Sequence, residues 1–140
     1  MAKKVDIYKA AAIIIKDRRL LVSRSRNKPF FIAPGGKVEK SETPEQAVIR
    51  ELQEEQGIVV MENDLTFFGT FYAIAQGFEA EQLKLRMDVY SVRSYDGELS
   101  PQSEIEENKW IDTMTMNSIE LGSIFAHDVV PELHKQNLID

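Results

Sequence analysis

Apolar and polar positions change period along the chain, and each period predicts an element. Residues 9–15 and 20–23 are apolar and largely β-branched, parted by the charged turn Lys16-Asp17-Arg18-Arg19. They predict a strand pair. Phe30-Phe31-Ile32 predicts a short buried strand before the turn Pro34-Gly35-Gly36. Residues 44 to 56 then switch to helical spacing. Thr43 suits the N-cap, Pro44 the first helical position, and Gln46 completes a T-x-x-Q capping box. Gly57 suits the position just past the helix end. At ~100° per residue, Val48, Leu52 and Ile49 share one stripe. Residues 65–75 and 83–95 predict long strands. Leu83, Leu85, Met87 and Val89 alternate there with Lys84, Arg86, Asp88 and Tyr90, and Asp96-Gly97 supplies a turn. Trp110-Ile111 predicts a further strand. Ile124, Phe125, Val129, Val130 and Leu133 form a helical stripe in which Pro131 starts or kinks a helix. The order β-rich, helix, β-rich, helix indicates an α/β fold, a mixed sheet covered by helices. At 140 residues the chain is expected to be one domain, 1–140.

The stripe beside the apolar edge of the first helix carries Glu51, Glu54 and Glu55, related as i, i+3 and i+4. Like charges so placed cost a few tenths of a kcal/mol on an exposed helix, and more when partly buried. A divalent cation reverses that sign, and carboxylate oxygens suit Mg²⁺ or Mn²⁺, which also bind phosphates. Arg50 can orient one carboxylate by paired hydrogen bonds. Gly35 and Gly36 permit positive φ and a close approach of backbone to a ligand. The competing interpretation of the glutamates alone is a solvated acidic face.

The full segment, GKVEKSETPEQAVIRELQEEQGI, runs from Gly36 to Ile58. It places Gly36, Glu42, Arg50, Glu51, Leu52, Glu54, Glu55, Gly57 and Ile58 in the pattern G-x5-E-x7-R-E-[apolar]-x-E-E-x-G-[apolar]. This resembles the Nudix box, with every defining position filled. The nearest likeness is to MutT-type nucleoside triphosphate pyrophosphohydrolases. The resemblance implies an α/β/α sandwich with the box helix on one face. It implies Mg²⁺-dependent hydrolysis of a nucleoside diphosphate linked to a further group, most simply a (d)NTP or oxidised (d)NTP cleaved to monophosphate and pyrophosphate. Glu54, Glu55 and the Gly35 carbonyl would hold metal, and Glu51, positioned by Arg50, would be general base or a further ligand. Glu104, in a Ser103-Glu104-Ile105 context before Trp110, matches a carboxylate that completes the metal site in such enzymes. Arg24, after the second strand, matches an arginine placed on substrate phosphate, with Arg26 and Lys28 as alternatives and Gly36 beside the substrate. Asp88, on the polar side of its strand, is read first as an edge or surface aspartate, with a place facing the cleft as the alternative. Cleavage of a nucleotide sugar or dinucleoside polyphosphate is the alternative within the enzyme class. A nucleotide-binding module without catalysis is the alternative outside it.

Charge and composition narrow the partners. A net charge of −6 argues against a basic face for a nucleic-acid polymer. A small anionic nucleotide remains compatible, because bound cations invert local charge. With no cysteine there is no disulfide, thiol nucleophile or Cys-type zinc site, which fits a reducing cytoplasm without requiring it; a cytoplasmic monomer or homodimer is expected. The early apolar run, residues 10–15, is far too short to span a membrane and lacks signal-peptide features. His127 and His134 have no serine or cysteine elbow beside them and do not suggest a triad. Ser41 and Ala33 depart from common residues at their box-flanking positions. The downstream proline of ADP-ribose-type members is absent.

Overall fold

The computed structural model describes residues 5–75 and 79–140. The strands are β1 (Ile7–Ile13), β2 (Ile15–Lys16), β3 (Arg19–Ser25), β4 (Phe30–Phe31), β5 (Gly35–Lys37), β6 (Leu65–Ile74), β7 (Lys84–Val92), β8 (Ile105–Ile111) and β9 (Glu120–Leu121). The helices are α1 (Pro44–Gln56) and α2 (Val130–Lys135), the latter preceded by a π-helical turn, Phe125–Val129. A four-stranded sheet has the order β5-β1-β7-β6, a three-stranded sheet β2-β3-β8, and β4 pairs with β9. In the larger sheet β1 runs parallel to β7 and antiparallel to β5, so the sheet is mixed.

The expected strand pair is thus divided. Both edges of β1 are taken by β5 and β7, leaving none for β3. Only Ile15–Lys16 pairs with β3, across a turn whose Asp17 and Arg18 adopt φ of 51° and 63°. Two positive φ values match the primed hairpin turns that fit strand twist. Trp110-Ile111 ends a seven-residue strand, so Glu106 and Glu107 lie on β8 and Glu104 immediately precedes it.

Helix α1 follows its sequence signals closely. The Thr43 hydroxyl accepts from the Gln46 amide at 3.1 Å, and the Gln46 side chain accepts from the Thr43 amide at 2.9 Å. Gly57 closes the helix at φ 70°, its N–H donating to the Gln53 carbonyl. Ala47, Val48 and Leu52 pack with Ala10, Ala12, Ile14 and Leu21. The intervening residues Ala11, Ile13, Leu20 and Val22 join a second cluster with Phe125, Val129, Val130 and Leu133. Alternate residues of β1 and β3 therefore face opposite helices, the two-sided burial of an α/β/α sandwich. Pro131 occupies the start of α2, where its missing N–H costs little.

Asp88 takes neither expected place, being neither a surface or edge residue nor a cleft residue. It is buried on the α1 side of β7 and accepts from Tyr8 and Thr70 hydroxyls, at 2.5 and 2.7 Å, and from Arg86. Four hydrogen bonds from these three residues, two of them from Arg86, satisfy a carboxylate that its strand would otherwise bury at high cost. The polar face of β7 is therefore covered at Asp88 and Tyr90, while Lys84 stays exposed. No helix among the described residues is long and apolar enough to cross a membrane.

Candidate metal and phosphate site

The site is built where the β5 turn meets the last two turns of α1. Gly35 has φ 148°, and a Cβ there would lie 2.2 Å from the Ala10 carbonyl oxygen, so strand pairing itself demands glycine. The Gly35 amide donates to Glu55 Oε1 at 3.0 Å. A Cβ on Gly36 would meet the Glu51 carboxylate at 2.6 to 2.8 Å. The two glycines thus let two helix carboxylates lie against the strand backbone.

Carboxylate oxygens of Glu51, Glu55 and Glu104 all lie within 4.8 Å of one another. Glu104 reaches them because its loop is stitched to the end of α1. The Gln102 amide donates to the Glu55 carbonyl at 2.9 Å, and the Arg26 amide donates to the Glu104 carbonyl at 2.9 Å. Glu54 stands outside this trio, with 55% of its side chain exposed and its carboxylate 3.5 Å from Arg50. Arg50 is caged by acceptors: Glu42 and Glu51 at 2.7 Å each, and the Lys37 carbonyl at 3.0 Å. It holds Glu51 Oε1 and ties Glu42, the first glutamate of the segment, to Glu51.

The electrostatics ask for a counter-charge. Burial pushes the Glu55 carboxyl up to about 8, against the Gly35 N–H bond, and Glu51 and Glu104 push it further the same way. Glu104 is the exposed member and stays below the usual range, chiefly through the Ser103 hydroxyl. Glu51 is raised, by burial first, while Arg50 opposes the shift. Without a cation, burial and mutual repulsion disfavour full ionisation of the cluster, most of all at Glu55. A hard divalent ion fits this donor set better than a proton does, since it neutralises all three groups at once.

A cavity of about 280 Å³ adjoins the cluster and shares Gly35 and Gly36 with it. Its walls include Lys9, Ser25, Lys28, Phe30, Met87 and Phe125. Of the three basic candidates, Lys28 lines the cavity. Arg24 pairs with Glu107 at 3.2 Å and Glu106 at 3.5 Å, its guanidinium 6.0 Å from the Phe31 ring centroid. Arg26 faces Glu104 electrostatically. Two features escaped the sequence reading. One is Lys9, a cation in an apolar strand. The other is Gln56, fully buried, which exchanges amide hydrogen bonds with Asn108 at 2.9 and 2.7 Å and donates to Ser23 at 2.9 Å. This junction fastens α1 to β3 and β8, the strands flanking Glu104. Its only sequence signal is an amide beside the buried edge of the box helix.

A family model described as NUDIX domain matches residues 7–133. The chain belongs to the Nudix family. It is 61% identical over 41 residues to the 8-oxo-dGTP diphosphatase of Escherichia coli, a match covering 29% of this chain and 30% of that protein. It is 48% identical over 65 residues to the ADP-ribose pyrophosphatase of Methanocaldococcus jannaschii, covering 41% of this chain and 38% of the relative. These matches span well under half the length of either relative. The solved MutT NUDIX hydrolase of Burkholderia pseudomallei superposes with a TM-score of 0.65 at 27% identity, over 75% of this chain and 81% of that one. The mixed sheet between two helical layers is the Nudix fold, and its box helix is α1.

Proposed function

We propose that this Nudix chain is a pyrophosphohydrolase that uses Mg²⁺, or Mn²⁺ in its place, to cleave a nucleoside triphosphate or its oxidised form to monophosphate and pyrophosphate. The observation that carries this reading is the carboxylate trio beside a nucleoside-sized cavity, with Gly35 and Gly36 touching both. Glu55 and Glu104 would hold the ion, with the Gly35 carbonyl beside them and Glu54 on the outer edge. A bound Mg²⁺ supplies Lewis acidity and neutralises charge on the attacked phosphoryl group.

The remaining steps belong to the protein. Arg50 fixes Glu51 by holding Oε1, which leaves Oε2 to take the proton of the attacking water. The water oxygen bonds to phosphorus, the P–O–P bridge breaks, and pyrophosphate leaves with the bridging electron pair. Gly36 lets the Glu51 carboxylate sit close to the backbone over which the phosphates would pass. The apolar cavity walls hold the nucleoside and exclude water from it.

The reading is tested on a panel of canonical and 8-oxo nucleoside triphosphates, ADP-ribose, nucleotide sugars and dinucleoside polyphosphates, with separate detection of monophosphate, pyrophosphate and orthophosphate. Monophosphate and pyrophosphate in equal amounts from a triphosphate support it. Turnover of ADP-ribose or a nucleotide sugar alone moves the chain to the alternative substrate class. Binding without turnover makes it a nucleotide-sensing module.

A further inference from the structure

The cavity contains a charge that its walls do not explain. Lys9 lies on β1 among alanines and lines the cavity, half-buried. Its register partner on β5 is Lys37, which lines the same cavity. Directly opposed residues of an antiparallel pair have neighbouring side chains on one face, and like charges there are destabilising. Lys9 feels Glu55 and Glu51 through space, without a hydrogen bond to either. Among the described residues it makes no salt bridge. Two unfavourable terms, partial burial and a like-charged neighbour, thus meet in one side chain on the cavity wall.

Neighbouring residues on the strand pair explain the placement. Ala10 and Gly36 face α1, as the contact of Gly36 with Glu51 shows. Lys9 and Lys37 sit one step along, on the opposite face. The strand pair therefore carries carboxylates on one side of Gly35-Gly36 and two ammonium groups on the other. A ligand that touches both the carboxylates and the cavity spans the strand pair at Gly35-Gly36.

We propose that Lys9 is a specificity-determining residue that binds the phosphate next to the nucleoside, across the β1–β5 pair from Lys37. The assignment rests on the proposed function, in that the cavity is taken to hold the nucleoside. A bound phosphate turns the mutual repulsion of Lys9 and Lys37 into two attractions. The site thereby favours ligands with an anionic group between the nucleoside and the metal-bound phosphates.

NMR titrations with AMP and GMP, and with adenosine and guanosine, test this in the presence of Mg²⁺. Lys9→Met removes the charge and keeps the chain's length and apolar stem. Lys9→Arg keeps the charge. Lys9→Met is expected to weaken monophosphate binding about tenfold, as for loss of one charge-assisted contact, with nucleoside binding changed less than about twofold. Lys9→Arg restores much of the monophosphate affinity. Equal weakening of nucleoside and monophosphate would make Lys9 a base or sugar contact and overturn the proposal. Unchanged monophosphate binding in Lys9→Met overturns it as well, as does a wild-type protein that binds no monophosphate. If wild type binds monophosphate through Lys9 yet hydrolyses nothing in the panel, the hydrolase reading falls and this assignment stands.

Discussion

Replacing Glu55 with Gln should stabilise the metal-free protein while removing its response to metal. In the folded, metal-free state Glu55 titrates near 8, against an ordinary value of 4.5. The folded state therefore holds a proton between these values that the unfolded chain has released. Stability then falls as pH rises from about 4.5 through about 8, the sign expected for a carboxyl whose pKa is raised by folding. At pH 7 the full cost is about 3 kcal/mol. Local relaxation reduces it, so about 1–3 kcal/mol is the expected gain for the variant. Gln keeps an oxygen to accept the Gly35 N–H, so the backbone contact survives. At about 3–4 °C per kcal/mol for a chain of this size, the metal-free Tm should rise by several degrees. The gain should shrink towards zero at pH 4.5. Wild type should in turn gain stability on adding Mg²⁺, by mass action on the folded state. Glu55→Gln should not, and its turnover should fall by at least ~10²-fold. Differential scanning fluorimetry at pH 5 and pH 7.5, with EDTA or Mg²⁺, reads all of this. A variant less stable than wild type in EDTA at pH 7.5, or equally stabilised by Mg²⁺, would refute the reasoning.

Three further substitutions separate the roles around Glu55. Glu51→Gln should lower kcat by ~10²–10⁴ with Mn²⁺ affinity little changed, and Arg50→Ala should show a milder loss because it frees Glu51 Oε1. If Glu51→Gln abolishes Mn²⁺ binding as fully as Glu55→Gln, Glu51 is a ligand and the water's proton goes elsewhere. Glu104→Gln should weaken metal binding, whereas Glu106→Gln and Glu107→Gln, which only release Arg24, should do less; equal small effects at all three would return Glu104 to an ordinary acidic loop. Gln56→Leu should cost about 1–3 kcal/mol in urea denaturation, because Asn108 Nδ2 loses its acceptor and its Oδ1 keeps only the Ser23 hydroxyl; a neutral result would mean water replaces the lost bonds.

How much of this was legible in the residues depended on the range of the interactions. Helix α1 was readable because its cap, its apolar stripe and its stop all lie within fifteen residues of one another. Glu104 was approachable from its spacing to Trp110, although its placement depends on the Gln102 and Arg26 backbone bonds, which no local pattern encodes. The first strand pair was misassigned because nearness in sequence favours a hairpin, while β1 takes a partner from residues 84–92. Asp88 read as a surface or edge residue because alternation marks which face a residue occupies. Whether that face is wet depends on the distant donors Tyr8 and Thr70. Glu54 looked equivalent to Glu51 and Glu55 on a helical wheel, but the glycine turn covers only one side of that stripe and leaves Glu54 in solvent. Lys9 gave no signal because a lone lysine in an apolar strand usually marks an edge, whereas β1 lies inside the sheet.

One divalent ion, held by Glu55 and Glu104 beside Glu51, is proposed to enable phosphoanhydride hydrolysis. Titrating EDTA-stripped protein with Mn²⁺, while measuring bound metal by electron paramagnetic resonance and pyrophosphate release from a nucleoside triphosphate, tests it most directly. The account predicts that turnover is absent in EDTA and rises with occupancy of a site lost in Glu55→Gln. Undiminished turnover in EDTA, or metal binding unaffected by Glu55→Gln, would contradict it.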